Sequence, residues 1–228
     1  MRRALELAAR ARGDTAPNPM VGAVVVDVDG RVVGEGWHEG AGEPHAEVVA
    51  LEEARERARG ATLYVTLEPC THHGLTPPCV EAVIGAGVTR VVVAQQDPDP
   101  RVSGAGVEVL RAAGVTVVEA VCRSQAEAQL DAYRHHRTTG RPLVVLKTAI
   151  TIDGATAAPD GSSQWITGEE ARADAHELRR ESDAVLVGSG TVVADDPRLD
   201  VRTEPPPRRQ PLRVVADARG RTSAAAAL

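Results

Sequence analysis

Pro44-His45-Ala46-Glu47 opens a segment rich in Glu, Arg and Ala, and this pattern predicts a helix over about residues 45–59. Gly60 follows as a typical helix stop, and the apolar run Thr62–Leu67 then predicts a buried strand. Glu68-Pro69-Cys70 comes directly after that strand. The order of helix, strand and polar turn is typical of an α/β domain.

The segments on either side continue this alternation. Upstream, apolar residues at positions 4, 5, 8 and 9 predict a first helix, and two β-rich runs joined by Asp29-Gly30 predict a hairpin. Downstream, helices and strands alternate at about 78–86, 90–94, 105–113, 115–118 and 124–139. We expect right-handed crossovers and a mostly parallel sheet, to which the hairpin adds one antiparallel strand. The predicted fold is a three-layer α/β/α domain with a mixed sheet over residues 1–141.

A second segment starts after Gly140-Arg141-Pro142 and covers residues 142–228. Its pattern predicts a strand at Leu143–Ala149, and further elements at 169–181 (helix), 184–188 (strand) and 212–216 (strand). These few elements are thin for an independent hydrophobic core. We therefore predict an incomplete α/β domain that exposes apolar surface, which favours self-association into a homo-oligomer.

The composition limits the function classes. The chain has 228 residues, 43% hydrophobic and 25% charged, as in ordinary globular proteins, and its apolar runs are too short to span a bilayer. The net charge of −6 argues against a broad nucleic-acid-binding face. Glu6 interrupts the N-terminal segment before an apolar core develops, so we expect no secretory signal. Three cysteines cannot all pair within the chain, which favours a reducing cytoplasm where clustered thiols bind metal.

One imidazole and two thiolates, from His45, Cys70 and Cys79, form a candidate set of zinc ligands. Three protein ligands leave the fourth tetrahedral position open for water, as in catalytic zinc sites. Glu47 is two residues from His45 at the helix start, and a carboxylate there can take a proton from that water and return it to a substrate nitrogen. This pattern is the signature of zinc nucleobase deaminases. Cys122 lies outside it and is predicted to be a buried apolar residue.

The spacing departs from that signature, because eight residues (71–78) separate the two cysteines instead of two. His72 or His73, within this segment, is an alternative ligand. Two buried cysteines near an unrelated histidine would also satisfy the pattern. Two alternative functions are open: another zinc deaminase, and a regulatory protein that keeps zinc without catalysis.

This long spacing, with the motifs around it, resembles the bifunctional riboflavin-biosynthesis deaminase/reductase family, RibD or RibG. The motifs that carry the resemblance are Pro17–Gly22, Gly42–Glu47, Tyr64–Cys70, His72–Gly74, Thr76–Cys79, Asp97-Pro98, Gln164–Thr167 and Ala194–Pro197. The resemblance extends to about residue 220.

The resemblance implies a cytidine-deaminase-like first domain that converts 2,5-diamino-6-ribosylamino-4(3H)-pyrimidinone 5′-phosphate to the corresponding aminouracil nucleotide. In that family pattern His45, Cys70 and Cys79 bind Zn²⁺, Glu47 carries the proton, and Asn18 contacts the phosphorylated pyrimidine substrate.

For residues 142–228 the resemblance implies a dihydrofolate-reductase-like domain that reduces the ribosyl group with NADPH. The positions that match substrate-binding residues are Lys147, Ser163, Arg179, Leu199 and Arg202. Those that match cofactor-binding residues are Ala149, Trp165, Thr191 and Asp195.

Two departures from the family pattern affect these expectations. Leu75 stands where the family usually has Lys or Arg, so a phosphate contact is lost or comes from another arginine. Asp99 stands where the family often has Asn, which adds negative charge near a phosphorylated substrate. The family's reductase domain also extends well beyond Leu228. We therefore expect a C-terminally truncated chain whose deaminase works and whose reductase is impaired.

Overall fold

The computed structural model describes residues 1–99 and 102–228. The chain divides into two compact units, Met1–Leu143 and Val144–Leu228, which we describe separately. This division lies two residues from the boundary predicted between 141 and 142. No helix in the described ranges combines the length and the apolar character needed to cross a bilayer.

The first unit alternates helices and strands as predicted. Its strands are β1 (Gly22–Val26), β2 (Val32–Trp37), β3 (Thr62–Val65), β4 (Arg90–Val93) and β5 (Thr116–Val118). Its helices are α1 (Arg2–Ala9), α2 (Ala46–Ala54), α3 (Cys79–Gly85), α4 (Ala105–Ala112), α5 (Arg123–Gln129) and α6 (Asp131–Thr139), and a 3₁₀ turn, Arg55–Ala58, follows α2. The helix expected over 45–59 thus ends early, at Arg55, whose positive φ of 51° breaks the α-helical backbone. The helix expected over 124–139 is divided in two at Leu130.

The five strands form one mixed sheet in the order β2-β1-β3-β4-β5. Strand β1 is antiparallel to both β2 and β3, whereas β3, β4 and β5 are parallel to one another. The antiparallel strand therefore comes from the hairpin, whose turn closes around Gly30 at φ 80°. The mixed sheet predicted from the sequence is confirmed.

Helices cover both faces of the sheet, which gives the three predicted layers. On one face, α2 and α3 pack through small and branched residues such as Ala50 and Val83 against Val25, Leu63 and Val91. On the other face, α1 packs against Val24, and α1 and α5 meet in a small cluster, whose buried members are Leu5, Ala94 and Ala126. The sheet is thus buried on both sides, so a cavity that is open to solvent can form only among the connecting loops and the ends of the helices.

Close approach of α2 to the hairpin needs a residue without a side chain at Gly36. A Cβ atom on Gly36 would collide with the carbonyl oxygen of Ala46 and the amide of Ala50, both in the backbone of α2. Glycine is the residue that permits such a close approach. The start of α2, which carries His45 and Glu47, is therefore placed directly over the end of β2.

The second unit contains α7 (Glu169–Arg180), β6 (Ala184–Gly188), α8 (Ser189–Asp195) and β7 (Leu212–Ala216), with β6 and β7 parallel. Helix α8 was not predicted from the sequence.

The prediction of a strand at Leu143–Ala149 is wrong, because residues 142–150 form no strand. Side chains in this stretch are exposed, with Val144 at 83% and Leu146 at 86%. A strand needs a hydrogen-bonded neighbour, and within the described part of this unit β6 and β7 pair only with each other. An apolar run alone is therefore insufficient to form a strand here.

Candidate active site

Three elements bring one histidine and two cysteines together. His45 is the N-cap of α2, Cys70 lies after β3, and Cys79 is the first residue of α3. The Nδ1 atom of His45 lies 2.9 Å from Sγ of Cys79 and 3.6 Å from Sγ of Cys70. The three ligand atoms all lie within 4.8 Å of one another. The sequence-predicted cluster therefore exists in space.

This donor set fits a zinc ion. Ligands at about 2.0–2.3 Å in a tetrahedral arrangement are about 3.6 Å apart. This matches the 3.6 Å between His45 Nδ1 and Cys70 Sγ, whereas Cys79 Sγ lies closer to His45, at 2.9 Å. Among the described residues this is the one group of three or more His, Cys, Asp or Glu atoms with such spacing. It includes neither His72 nor His73, which are exposed. Those two alternative ligands are thus not part of the cluster.

The two thiols differ in their surroundings. The pKa of Cys70 is lowered to about 4, first because it accepts a hydrogen bond from the thiol of Cys79 and then because it interacts with His45. The backbone N–H of Cys79, at the start of α3, also donates to Sγ of Cys70 over 3.4 Å. An unpaired N–H at a helix start stabilises a thiolate. Without metal, the pKa of Cys79 is raised by its bond to Cys70.

Glu47 lies in the first turn of α2 and is 3% exposed. Burial raises the pKa of its carboxyl to about 7. A carboxyl whose pKa is near neutrality, next to a metal site, can both take and give a proton.

The cluster opens into a cavity of about 550 Å³. A cavity of this size accommodates a small metabolite. Besides the metal-binding cluster, its walls include polar side chains from distant segments, namely Asn18, His38, Asp97, Asp99, Tyr133 and Arg137. The sequence signals had identified Asn18 alone among these as a site residue.

His38, which the sequence analysis missed, orients Asn18. His38 is 2% exposed, and burial lowers its pKa, so the ring is neutral. Its Nδ1 lies 3.1 Å from the carbonyl oxygen of Pro44, which can only accept, so Nδ1 carries the hydrogen. Its Nε2 therefore accepts from the Asn18 amide nitrogen over 2.9 Å. The amide oxygen of Asn18 is left to accept a hydrogen bond from a ligand in the cavity.

Glu68 joins the cysteine loop to the segment before α4. Its Oε1 accepts from the backbone N–H groups of Gly106 (2.7 Å) and Val107 (3.2 Å), and its Oε2 from those of Gly104 (2.9 Å) and Asp97 (3.2 Å). The carboxylate is 3% exposed. These four bonds hold the turn that carries Cys70 in place, a role the sequence gave no signal for because the partners lie far along the chain.

The two departures from the family pattern face the same cavity. Leu75 is 86% exposed at its rim. Asp99 is buried, and its carboxylate lies 3.8 Å from the guanidinium of Arg137, which also lies over the ring of Tyr133 at 5.0 Å. Arg137 is the only arginine or lysine among the described residues that line the cavity.

In the second unit the structure brings together three of the five predicted substrate residues. Arg179 on α7 donates to the backbone carbonyl of Asp200 over 3.3 Å. Asp200 directly follows the buried Leu199 and precedes the exposed Arg202 by two residues. Arg202 lies 3.4 Å from His176, which shares α7 with Arg179. Burial, and then the charge of Arg202, lower the pKa of Arg179.

The other predicted residues of this unit lie apart from that group. Thr191 and Asp195 are exposed, one turn apart on α8, and Trp165 is 70% exposed with Arg172 stacked over its ring at 4.5 Å. Lys147 and Ser163 are exposed and Ala149 is half-buried. Within the described ranges, no hydrogen bond or ion pair joins these residues to Arg179 or Arg202, so their roles stay predictions.

Comparison with known proteins identifies two regions of the chain. Residues 1–95 match the cytidine and deoxycytidylate deaminase zinc-binding region, and residues 142–228 match the RibD C-terminal domain. The riboflavin biosynthesis protein RibD of Aquifex aeolicus is 54% identical over 95% of this chain. The chain is thus similar to RibD proteins over nearly its whole length. It spans 60% of the length of that Aquifex relative.

Solved RibD structures share the fold. The RibD of Acinetobacter baumannii matches with a TM-score of 0.93 and 48% identity over 99% of this chain and 64% of its own. A diaminohydroxyphosphoribosylaminopyrimidine deaminase/5-amino-6-(5-phosphoribosylamino)uracil reductase from Thermotoga maritima matches with a TM-score of 0.90 and 47% identity, over 96% of this chain and 62% of its own. The fold is thus a cytidine-deaminase-like domain with a mixed sheet, followed by a RibD reductase-like unit, as predicted. The match of residues 1–95 to a zinc-binding region agrees with the ligand set formed by His45, Cys70 and Cys79.

Proposed function

We propose that the first unit catalyses the hydrolytic deamination of 2,5-diamino-6-ribosylamino-4(3H)-pyrimidinone 5′-phosphate in riboflavin biosynthesis. The observation that carries the proposal is the convergence of three ligand atoms within 4.8 Å beside the buried Glu47, at the base of a cavity. The Thermotoga relative, named for a deaminase of this substrate class, supports the choice of substrate.

In this proposal His45, Cys70 and Cys79 hold the zinc ion. When bound, zinc with three protein ligands lowers the pKa of water in its open position to about 7. Glu47 would take a proton from the attacking water, deliver it to a ring nitrogen of the pyrimidine, and then pass the water's second proton to the departing amine. The water supplies the new carbonyl oxygen, the C–NH₂ bond breaks, and ammonia leaves. Glu47 is placed to act as general base and then general acid because it lies buried in the first turn of α2, two residues from the ligand His45.

Asn18 and Arg137 position the substrate. The amide oxygen of Asn18, oriented by His38, accepts a hydrogen bond from an N–H or O–H group of the ligand. Arg137 supplies the cation for the phosphate, in place of the basic residue that Leu75 replaces. Its ion pair with Asp99 at 3.8 Å is long enough for the guanidinium to exchange that partner for a phosphate.

In the second unit we propose that NADPH and the deaminated nucleotide bind. Lys147, Ser163, Arg179, Leu199 and Arg202 contact the nucleotide, and Ala149, Trp165, Thr191 and Asp195 contact NADPH. The proximity of Arg179, Leu199 and Arg202 supports the first set, and the shared face of Thr191 and Asp195 on α8 supports the second.

We further propose that the partner of this protein is a small molecule and not a nucleic acid, in a reducing cytoplasm. The net charge of −6 disfavours binding to a polyanion. The three cysteines are all unpaired, as a reducing compartment requires.

The test is release of ammonia from the diaminopyrimidine nucleotide by zinc-loaded protein. Glu47→Gln removes the proton carrier but none of the ligands, so we expect ammonia release to fall at least about 100-fold while zinc stays near one per chain. Glu52→Gln, an exposed change on the same helix, is the matched control and should leave the rate unchanged. No ammonia release by the unsubstituted, zinc-loaded chain would overturn the proposed activity.

A further inference from the structure

The ring of His45 has a contact on each nitrogen. Nδ1 faces the two sulfurs, at 2.9 Å from Cys79 and 3.6 Å from Cys70. Nε2, on the opposite side of the ring, lies 3.3 Å from the hydroxyl oxygen of Thr76. The nitrogen that faces the sulfurs is thus the one placed to bind metal, and the other is left to Thr76.

A histidine ligand gives the metal the lone pair of one nitrogen, and the other nitrogen then carries the hydrogen. With Nδ1 on the metal side, Nε2–H must donate, and the Thr76 hydroxyl oxygen is its acceptor in this structure. Partners of this kind fix the tautomer and the orientation of the ring, and losing one commonly weakens metal binding 10–100-fold.

Thr76 is turned inward within an otherwise exposed stretch. His72, His73, Gly74 and Leu75 are exposed, whereas Thr76 is half-buried. Pro77 and Pro78 follow it, and because proline fixes φ they restrict the path of the chain between Thr76 and Cys79. A two-residue spacing between the cysteines would leave no room for this return of the chain to the histidine.

We propose that Thr76 is a positioning residue, which holds His45 in its metal-binding tautomer through the Nε2–H···Oγ1 hydrogen bond. The eight-residue spacing between the cysteines, which separates this chain from the usual deaminase signature, thereby supplies the outer partner of the histidine ligand. This inference rests on the proposed zinc site and adds a cavity-lining residue that acts on the metal through His45.

The test is the zinc dissociation constant, measured by competition with a chromogenic chelator on the full chain. Thr76→Val keeps the shape of the side chain and removes the hydroxyl, so we expect the constant to rise 10–100-fold. Thr76→Ser keeps the hydroxyl and should stay within about threefold of the unsubstituted protein. Thr116→Val, an exposed change on β5, controls for the substitution itself and should leave the constant unchanged.

Thr76→Ala is measured in place of the valine variant if that variant fails to fold, with the same expected rise. Equal zinc affinity in the unsubstituted and Thr76→Val (or Thr76→Ala) proteins would overturn the positioning role. A serine variant as weak as the valine variant would also overturn it, because the hydroxyl would then not be the cause. Failure of the unsubstituted chain to bind zinc would instead refute the zinc site on which the inference rests.

Discussion

Replacing Glu68 with Gln changes one buried carboxylate into an amide of almost the same shape. In the protein, each carboxylate oxygen accepts from two backbone N–H groups: Gly106 and Val107 on one oxygen, Asp97 and Gly104 on the other. Glutamine offers only one acceptor oxygen, and its NH₂ group would face the other two N–H donors. Two buried N–H groups therefore lose their partners.

The cost follows from those two groups. A buried donor left unsatisfied costs about 1–3 kcal/mol, so Glu68→Gln should lower the free energy of unfolding of the first unit by about 2–6 kcal/mol. This is a large share of the stability of a typical domain, about 5–15 kcal/mol.

Urea unfolding followed by the fluorescence of Trp37 measures this loss. The chain has two tryptophans, so Trp165→Phe in the background leaves a signal from the first unit alone. Glu52→Gln, at an exposed position of α2, makes the same chemical change and should alter the unfolding free energy by less than about 0.5 kcal/mol. If Glu68→Gln is also within about 0.5 kcal/mol of the parent, the account of this carboxylate is wrong.

Two further predictions use the same fluorescence assay. Gly36→Ala should destabilise the first unit by about 1–3 kcal/mol, because its Cβ meets the backbone of α2, while Gly85→Ala, with open space around it, should not destabilise; equal effects would contradict the close-packing argument. The pKa of Asp97 is raised, first by burial and then by the charges of Asp99 and Glu68. Ionisation of Asp97 therefore lowers the free energy of unfolding as the pH rises above about 3.9, the pKa of an aspartate in the unfolded chain. Asp97→Asn should therefore match the parent at low pH and be the more stable protein at neutral pH; a gap that closes as pH rises would refute this.

Much of the fold follows from local pattern. Helix and strand periodicity, with glycines at the element ends, predicted the order of the elements along the first unit and a mixed sheet. The strand expected at Leu143–Ala149 failed because an apolar run does not reveal whether a neighbouring strand is available. The break near Leu130 that divides α5 from α6 was likewise not predictable, because no proline or glycine lies there.

The residues of the candidate site likewise include some that the sequence predicted and some that it did not. Metal ligands and the adjacent carboxylate repeat a short motif, so His45 and Glu47 were predictable from spacing. His38, Glu68 and Thr76 act through contacts with residues 20 to 39 positions away, which no local pattern encodes. Residues that orient other residues are therefore where the structure adds most.

X-ray absorption at the zinc edge tests the metal site most directly. The account predicts two sulfurs at about 2.3 Å and two lighter donors at about 2.0 Å in the zinc-loaded chain, and one sulfur in Cys79→Ser. A spectrum with three or more sulfurs, or with none, or one that Cys79→Ser leaves unchanged, would contradict the assignment of His45, Cys70 and Cys79 as the ligands.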